Sequence, residues 1–421
     1  MNNQIIRTNL SQGVDGCYIP SHRFKTARIS VTAYMPLNKD NACALSLACL
    51  LLSNGCKKHP TPMEFSQRLD TLYGATLGTD TYKAGDMLAV RVGVIFAEDR
   101  FLPTPVFEDC ADLLLDTIFE PAVDEGGFYE GNFNREKRIQ IEEIESEIND
   151  KRTFARNRLI EKMFEGDPYG LSVTGTKEQT EALTRGEVYA AWQNLLKSAY
   201  FRVSVTADKP HDEVFEAFSA RLANYERTDI FAPTPDRLHT TTGEVKQISD
   251  SMAVAQGKLA MGFSCAGGED ADSYKSMVMI DILGGGPYSL LFSNVREKMS
   301  LCYYCAARGV RKKGALLIDS GVEFDNMDKT LNAVLEQIDA LKSGNFDEGI
   351  VEASKLYIKG SLKAVYDSQA VTDHWYADRW FDRQMLSPEQ LAELVSSVTK
   401  EDVVAAAQSI TLDTVYRLLG K

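Results

Sequence analysis

The feature that most constrains this chain is an echo of itself. Leu183-Thr184-Arg185-Gly186-Glu187-Val188-Tyr189-Ala190-Ala191 returns as Val398-Thr399-Lys400-Glu401-Asp402-Val403-Val404-Ala405-Ala406. Each run opens a helix that leads into a terminal strand pattern, Tyr200 to Thr206 in one case and Asp413 to Leu418 in the other. Phe65-Ser66-Gln67-Arg68, with the tail Tyr73-Gly74-Ala75, parallels Phe292-Ser293-Asn294-Val295 with Met299-Ser300-Leu301 in the same way. Two copies with a shifting interval describe an old duplication of one α+β unit, because a solenoid needs about three repeats or more. At 421 residues the chain is also too long for one ordinary core. The expected division is residues 1–226 and 243–421, joined by a linker at 227–242, where Pro233 and Pro235 sit among Thr and charged residues and periodicity fails.

Local patterns fill in the unit. Ala27 to Met35 and Met87 to Phe96 alternate like strands. Ala42 to Leu52 is apolar nearly all round, the mark of a buried helix, with Asp40 as its N-cap and Gly55 ending it. Pro62 to Leu72 and Phe107 to Ile118 read as further helices. Asn134 to Asp150 reads as a long helix with an apolar row at Ile141, Ile144 and Ile148, and a polar row at Glu136, Gln140, Glu143 and Glu147 that needs solvent or a cation.

Charge narrows the function. Sixty acidic residues against 46 basic ones give a net charge of −14, with no basic cluster, which disfavours nucleic acid and anionic membrane. The start, MNNQIIRTNLSQGVDG, lacks an apolar core of signal-peptide length, and the eight cysteines at irregular spacing suit a reducing compartment. A cytoplasmic chain is expected. Cys302 and Cys305 form a lone CxxC without a second pair, read as two cysteines of one strand, with redox pairing left open. The glycines at 284–286 are followed by no Gly-Lys-Ser, so they make no phosphate loop.

The most informative stretch is Gly284 to Tyr303. Leu291, Val295 and Met299 recur at helical spacing, Arg296 lies on the same helix, and Tyr303 follows a break at Ser300. A guanidinium and a phenol can both donate to a carbonyl oxygen. The run Arg296-Glu297-Lys298-Met299-Ser300-Leu301-Cys302-Tyr303 resembles the arginine and tyrosine segment of the insulinase-like, or M16, zinc peptidases and the mitochondrial processing peptidase subunits. The order Pro168-Tyr169-Gly170, Gly175-Thr176, Leu183-Thr184 resembles the same family. The resemblance implies two duplicated α/β-sandwich domains of the M16 type, and a role for Arg296 and Tyr303 in holding the substrate backbone at zinc.

Active members carry His-x-x-Glu-His on the buried first helix, where two histidines and a distant Glu bind zinc and the intervening Glu is the base. This chain has Ser46-Leu47-Ala48-Cys49-Leu50 there, and His22, His59, His211, His239 and His374 are scattered. Glu143 and Glu136 resemble the third ligand and its supporting Glu, and Glu143 is expected to be vestigial. No metal or cofactor is therefore expected in this chain. The resemblance implies a non-catalytic subunit, inactive alone, that pairs with a zinc-containing M16 subunit bearing His-x-x-Glu-His and supplies Arg296 and Tyr303 to a peptide there. The alternatives are a scaffold subunit without peptide chemistry and, more weakly, a self-sufficient hydrolase with unusual ligands. A homodimer in the partner's absence stays open.

Overall fold

The computed structural model describes residues 5–267 and 272–421; residues 1–4, where the N-terminal reading begins, lie outside it. The described strands are β1 (Ile6–Ser11), β2 (Val14–Pro20), β3 (Thr26–Pro36), β4 (Thr76–Ala84), β5 (Met87–Ala97), the short pair β6 (Val123–Asp124) and β7 (Gly127–Phe128), β8 (Tyr200–Ala207), β9 (Lys246–Met252), β10 (Gly257–Ser264), β11 (Cys302–Val310), β12 (Ala315–Val322) and β13 (Thr411–Gly420). One sheet runs β1-β2-β8-β3-β5-β4 and the other β9-β13-β10-β12-β11. From β2 onward the first order matches the second strand for strand. Even the single parallel pair recurs in place, β2 with β8 and β9 with β13. The duplicated α+β architecture expected from the echo is the fold.

The echo itself has a physical basis in capping. Thr184 accepts from the Glu187 amide while the Glu187 carboxylate accepts from the Thr184 amide at 2.8 Å, opening the helix Arg185–Ser198. Thr399 and Asp402 repeat the arrangement, with the return bond at 3.0 Å, to open Lys400–Ala407. Each pair satisfies two amides that a helix start leaves unpaired. The other echo sharpens in the structure. Tyr73 and Ser300 are non-glycine residues held at φ 55° and 51°, each turning its chain from a helix into an edge strand. Tyr73 therefore corresponds to Ser300 rather than Met299, at the same interval of 227 that separates Phe65 from Phe292.

The compact units exchange one helix each across the sequence boundary. The first comprises residues up to Glu145, Leu171–Thr234 and Ser368–Asp378, and the second Ser146–Gly170, Pro235–Asp367 and Arg379–Lys421. Residues 226–245, which include the expected linker, hold neither helix nor strand. In the first unit an apolar core joins the sheet to the helices Ala42–Leu52, Phe107–Phe119, Arg185–Ser198 and Asp212–Leu222. The helix Gln369–Asp378 adds a buried charge lock. Asp373 accepts from Arg202 at 2.7 Å, from Ser30 at 2.6 Å and from Arg28 at 3.5 Å, and Arg202 and Asp373 are fully buried. In the second unit the helix Lys151–Met163 lays Ala155, Leu159 and Met163 on Ala260, Leu317, Tyr416 and Leu418. Here the helix brings the cations and the strands the acids: Arg152 pairs with Asp319, and Arg158 with Asp250 at 3.0 Å.

Two local expectations shift. The first buried helix is entered through Asn41, not Asp40; Asn38 caps the preceding turn by accepting from the Asp40 and Asn41 amides, both at 3.0 Å. Met299, expected on an apolar stripe, is exposed because the helix ends at Lys298.

Candidate functional site

The positions that the resemblance assigns to a zinc motif lie on two helices of the first unit. Ala42–Leu52 is buried at all but one residue, so only chemistry that suits a dry environment survives there. Ser46 is buried, and Leu50 offers hydrocarbon. Cys49 points its thiol at the strand carbonyls of Asp80 (3.6 Å) and Arg91 (3.7 Å), and burial pushes its pKa up to about 11. A thiol that stays protonated near neutrality is no general base.

Glu130–Ser146 carries the distal element. Its polar row does not share one environment: Glu136 and Gln140 are buried, Glu143 is exposed, and Glu147 falls in a separate turn, Glu147–Asn149. Glu136 accepts from Arg135 Nε at 3.0 Å, and Arg135 also donates to Asn54, just past the first helix. Gln140 fills the space between the helices, with its Nε2 donating to the Thr174 carbonyl at 3.0 Å and reaching Thr180 Oγ1 and Cys43 Sγ at 3.4 and 3.5 Å. In the sequence Gln140 is one member of a polar row that needs solvent or a cation. Its neighbours, Cys43 and the distant Thr174 and Thr180, gave no signal in the sequence.

Tetrahedral zinc needs about three protein donors. The family positions here supply one hydroxyl, one aliphatic group and one exposed carboxylate, so the residues present do not fit the metal. Among the described residues no group of three or more His, Cys, Asp or Glu is placed to hold an ion. Four of the five scattered histidines have structural partners instead: His22 meets Asp208, His211 stacks on Phe107 with ring centres 3.4 Å apart, His239 meets Asp413 at 3.2 Å, and His374 packs edge-on to Tyr82.

The second unit presents the donors. Leu291–Lys298 is wound as a π-helix, a rare winding frequent at functional sites. Leu291 and Val295 are buried beneath it, and Arg296 lies across the Phe292 ring at 4.5 Å with a side chain 38% exposed. After the reversal at Ser300 the chain enters β11 through a bulge. Cys302 pairs with Val322 and Tyr304 with Gly321, leaving Tyr303 as the extra residue. The bulge turns Tyr303 out of the sheet: it is 59% exposed, although it begins an apolar run, and its hydroxyl donates to Glu323 at 2.6 Å. That hydrogen bond to an anion raises the phenol pKa, so the group stays a donor.

Comparison with known proteins agrees with this fold. The family described as "Peptidase M16 inactive domain" matches residues 182–357. A Bacillus subtilis protein named "Probable inactive metalloprotease YmfF" is 28% identical over 97% of this chain and 96% of its own length. An "Uncharacterized zinc protease" of Rickettsia bellii is 21% identical over 72% of this chain and 73% of its own. Among solved structures, a conserved protein from Enterococcus faecalis V583 superposes with a TM-score of 0.92 at 24% identity, covering 99% of both chains. The "peptidase M16 inactive domain" from Pseudomonas fluorescens gives 0.80 at 17% identity, covering 100% of this chain and 99% of that one. With the duplicated sheets and these matches, the chain is similar to the M16 metallopeptidases, matching the model of their inactive domain at residues 182–357, and it lacks His-x-x-Glu-His.

Proposed function

We propose that this chain is the non-catalytic subunit of a heterodimeric M16-type zinc peptidase, contributing Arg296 and Tyr303 to peptide bound at its partner's zinc. The observation that carries the reading is the outward setting of both donors. Residues kept only for packing are buried, whereas the Tyr303 ring is displayed by a bulge on an edge strand and Arg296 is partly open to solvent. The scaffold alternative predicts packing residues at both positions, and the geometry favours the first reading over it. The self-sufficient hydrolase fares worse, since the motif helix supplies no base and one carboxylate cannot hold zinc.

Within this reading the chain's work is to bind and orient. Arg296 and Tyr303 donate to backbone carbonyls of an extended peptide, and the net charge of −14 favours basic or neutral peptides over acidic ones. The test is reconstitution with an M16 subunit bearing His-x-x-Glu-His. The mixture should cleave a fluorogenic peptide that neither chain cleaves alone, and Arg296→Ala should abolish most of that turnover without preventing assembly. Undiminished turnover by Arg296→Ala would return the chain to the scaffold class.

A further inference from the structure

The bulge that displays Tyr303 has a second consequence. In a regular strand, residues three apart point to opposite faces. The extra residue at Tyr303 restores the phase, so that Cys302 and Cys305, on either side of it, turn their sulfurs toward each other and toward the Ser320 hydroxyl on β12. Both cysteines are free thiols, Cys305 buried and Cys302 half-open. Cys305 hydrogen-bonds Cys302 and, with Ser320 and the Arg296 charge, outweighs burial to bring the Cys302 pKa down to about 7, while that of Cys305 is raised. This asymmetry, one accessible low-pKa thiol beside a buried one, is what a redox-sensing pair requires. Elsewhere burial raises the pKa of each cysteine for which a shift is resolved, with Cys265 and Cys110 pushed up to about 12.

We propose that Cys302 and Cys305 form a redox-active dithiol, with Cys302 attacking and Cys305 resolving, whose closure re-sets the bulge that carries Tyr303. The oxidant is a low-molecular-weight disulfide, RSSR. The Cys302 thiolate attacks one of its sulfurs, the RS–SR bond breaks, and one RS⁻ leaves with the bonding pair. Cys305 then loses its proton to that RS⁻ and attacks Cys302 Sγ, breaking the mixed disulfide and releasing the second RS⁻, which takes up the proton Cys302 had lost. Two protein thiols are oxidised and RSSR is reduced to two RSH.

Closure is coupled to Tyr303 by geometry. The bulge sets the three steps from Cys302 to Cys305 against two steps of β12, Val322 to Ser320, a span of about 7 Å, which is the outer limit of the Cα separation a disulfide accepts, with most at about 5.5–6 Å. The bulge must tighten for the bond to form, and Tyr303 is the residue inside it. The strand can yield because β11 is the edge of its sheet, hydrogen-bonded on one side only. A disulfide formed at that cost is readily reduced, which suits reversible use.

The site does not depend on whether Tyr303 touches peptide, and its test uses the purified chain. Incubated at pH 7 with oxidised glutathione, the protein should lose two mass units, localised to the peptide Met299–Arg308 and reversed by dithiothreitol. Cys302 should react about tenfold faster than an ordinary thiol, since about half of it is thiolate at that pH. Cys305→Ser should instead trap one glutathione on Cys302, and Cys302→Ser should abolish both products at this segment. Hydrogen exchange across 299–310 should differ between the reduced and oxidised forms of the unmutated protein. The proposal is overturned if the unmutated peptide stays reduced while another cysteine reacts first, or if oxidation leaves exchange there unchanged.

Discussion

The two copies of one local motif have been put to different uses. In the first unit the helix Pro62–Thr71 turns at Tyr73 into β4, and in the second Leu291–Lys298 turns at Ser300 into β11. The backbone route is the same, through a left-handed residue into an edge strand. The side chains are not: at the constant interval of 227, Leu69 and Thr76 stand where Arg296 and Tyr303 stand. The first copy is an α-helix fixed by a Thr61 and Glu64 capping box, while the second is π-wound and followed by a bulge. Duplication supplied the scaffold, and the bulge and π-turn in one copy alone turned donors outward. The charge locks diverge too. The lock of the first unit is dry, whereas Arg152 in the second is 42% exposed.

The sharpest way to break this comparison is to remove Asp373. Its loss strands Arg202, a fully buried cation, and should cost about 3–5 kcal/mol in denaturant unfolding. The acid limb gives the sign. Burial alone would raise the Asp373 pKa, but Arg202, Arg28 and Ser30 together hold it well below the usual carboxylate range. The lock therefore contributes fully above about pH 4 and is lost as pH falls below it. The deficit of Asp373→Asn relative to the native chain should shrink between pH 4 and pH 2, and a deficit constant over that range would contradict the lock.

Next in size is Arg296→Ala. Removing one transition-state donor costs about 2.7–4 kcal/mol, or ~100-fold or more in turnover of the reconstituted enzyme. Leu69→Ala at the matching site of the first unit should leave kcat unchanged and register only as a loss of stability. The two capping boxes should behave alike: Thr184→Ala and Thr399→Ala each lose about 1 kcal/mol in thermal or urea unfolding. Equal costs sharpen the duplication, and a cost at one site only would show that capping no longer matters in the other copy. Smallest is Arg152→Ala, where the half-open ion pair is worth about 1 kcal/mol or less. A loss as large as that of Asp373→Ala would erase the contrast between the locks.

Much of this was legible in the sequence where the signal is local. Thr184 and Thr399 announced the duplicated helix starts, strand alternation placed β3, β5 and β8 within a residue or two, and Ser300 marked its break. What escaped depends on distant pairing. No periodicity reveals that Gln369–Asp378 belongs with the first sheet, because the reason is Asp373 meeting Arg28 and Arg202 from remote strands. The bulge at Tyr303 exists only in the register with β12, so nothing in the run Leu301-Cys302-Tyr303-Tyr304 marks the tyrosine's outward setting. Gln140 looked like one member of a polar row because its partners, Cys43, Thr174 and Thr180, come from other segments.

The measurement that tests the central claim most directly is kcat of the reconstituted heterodimer carrying Tyr303→Phe. The change removes one hydroxyl and keeps the ring, and because that hydroxyl donates to the surface carboxylate of Glu323, folding and assembly should be nearly untouched. The account predicts a fall in kcat of ~100-fold with unchanged subunit affinity. Native turnover from Tyr303→Phe, in a complex assembled as tightly as before, would contradict it.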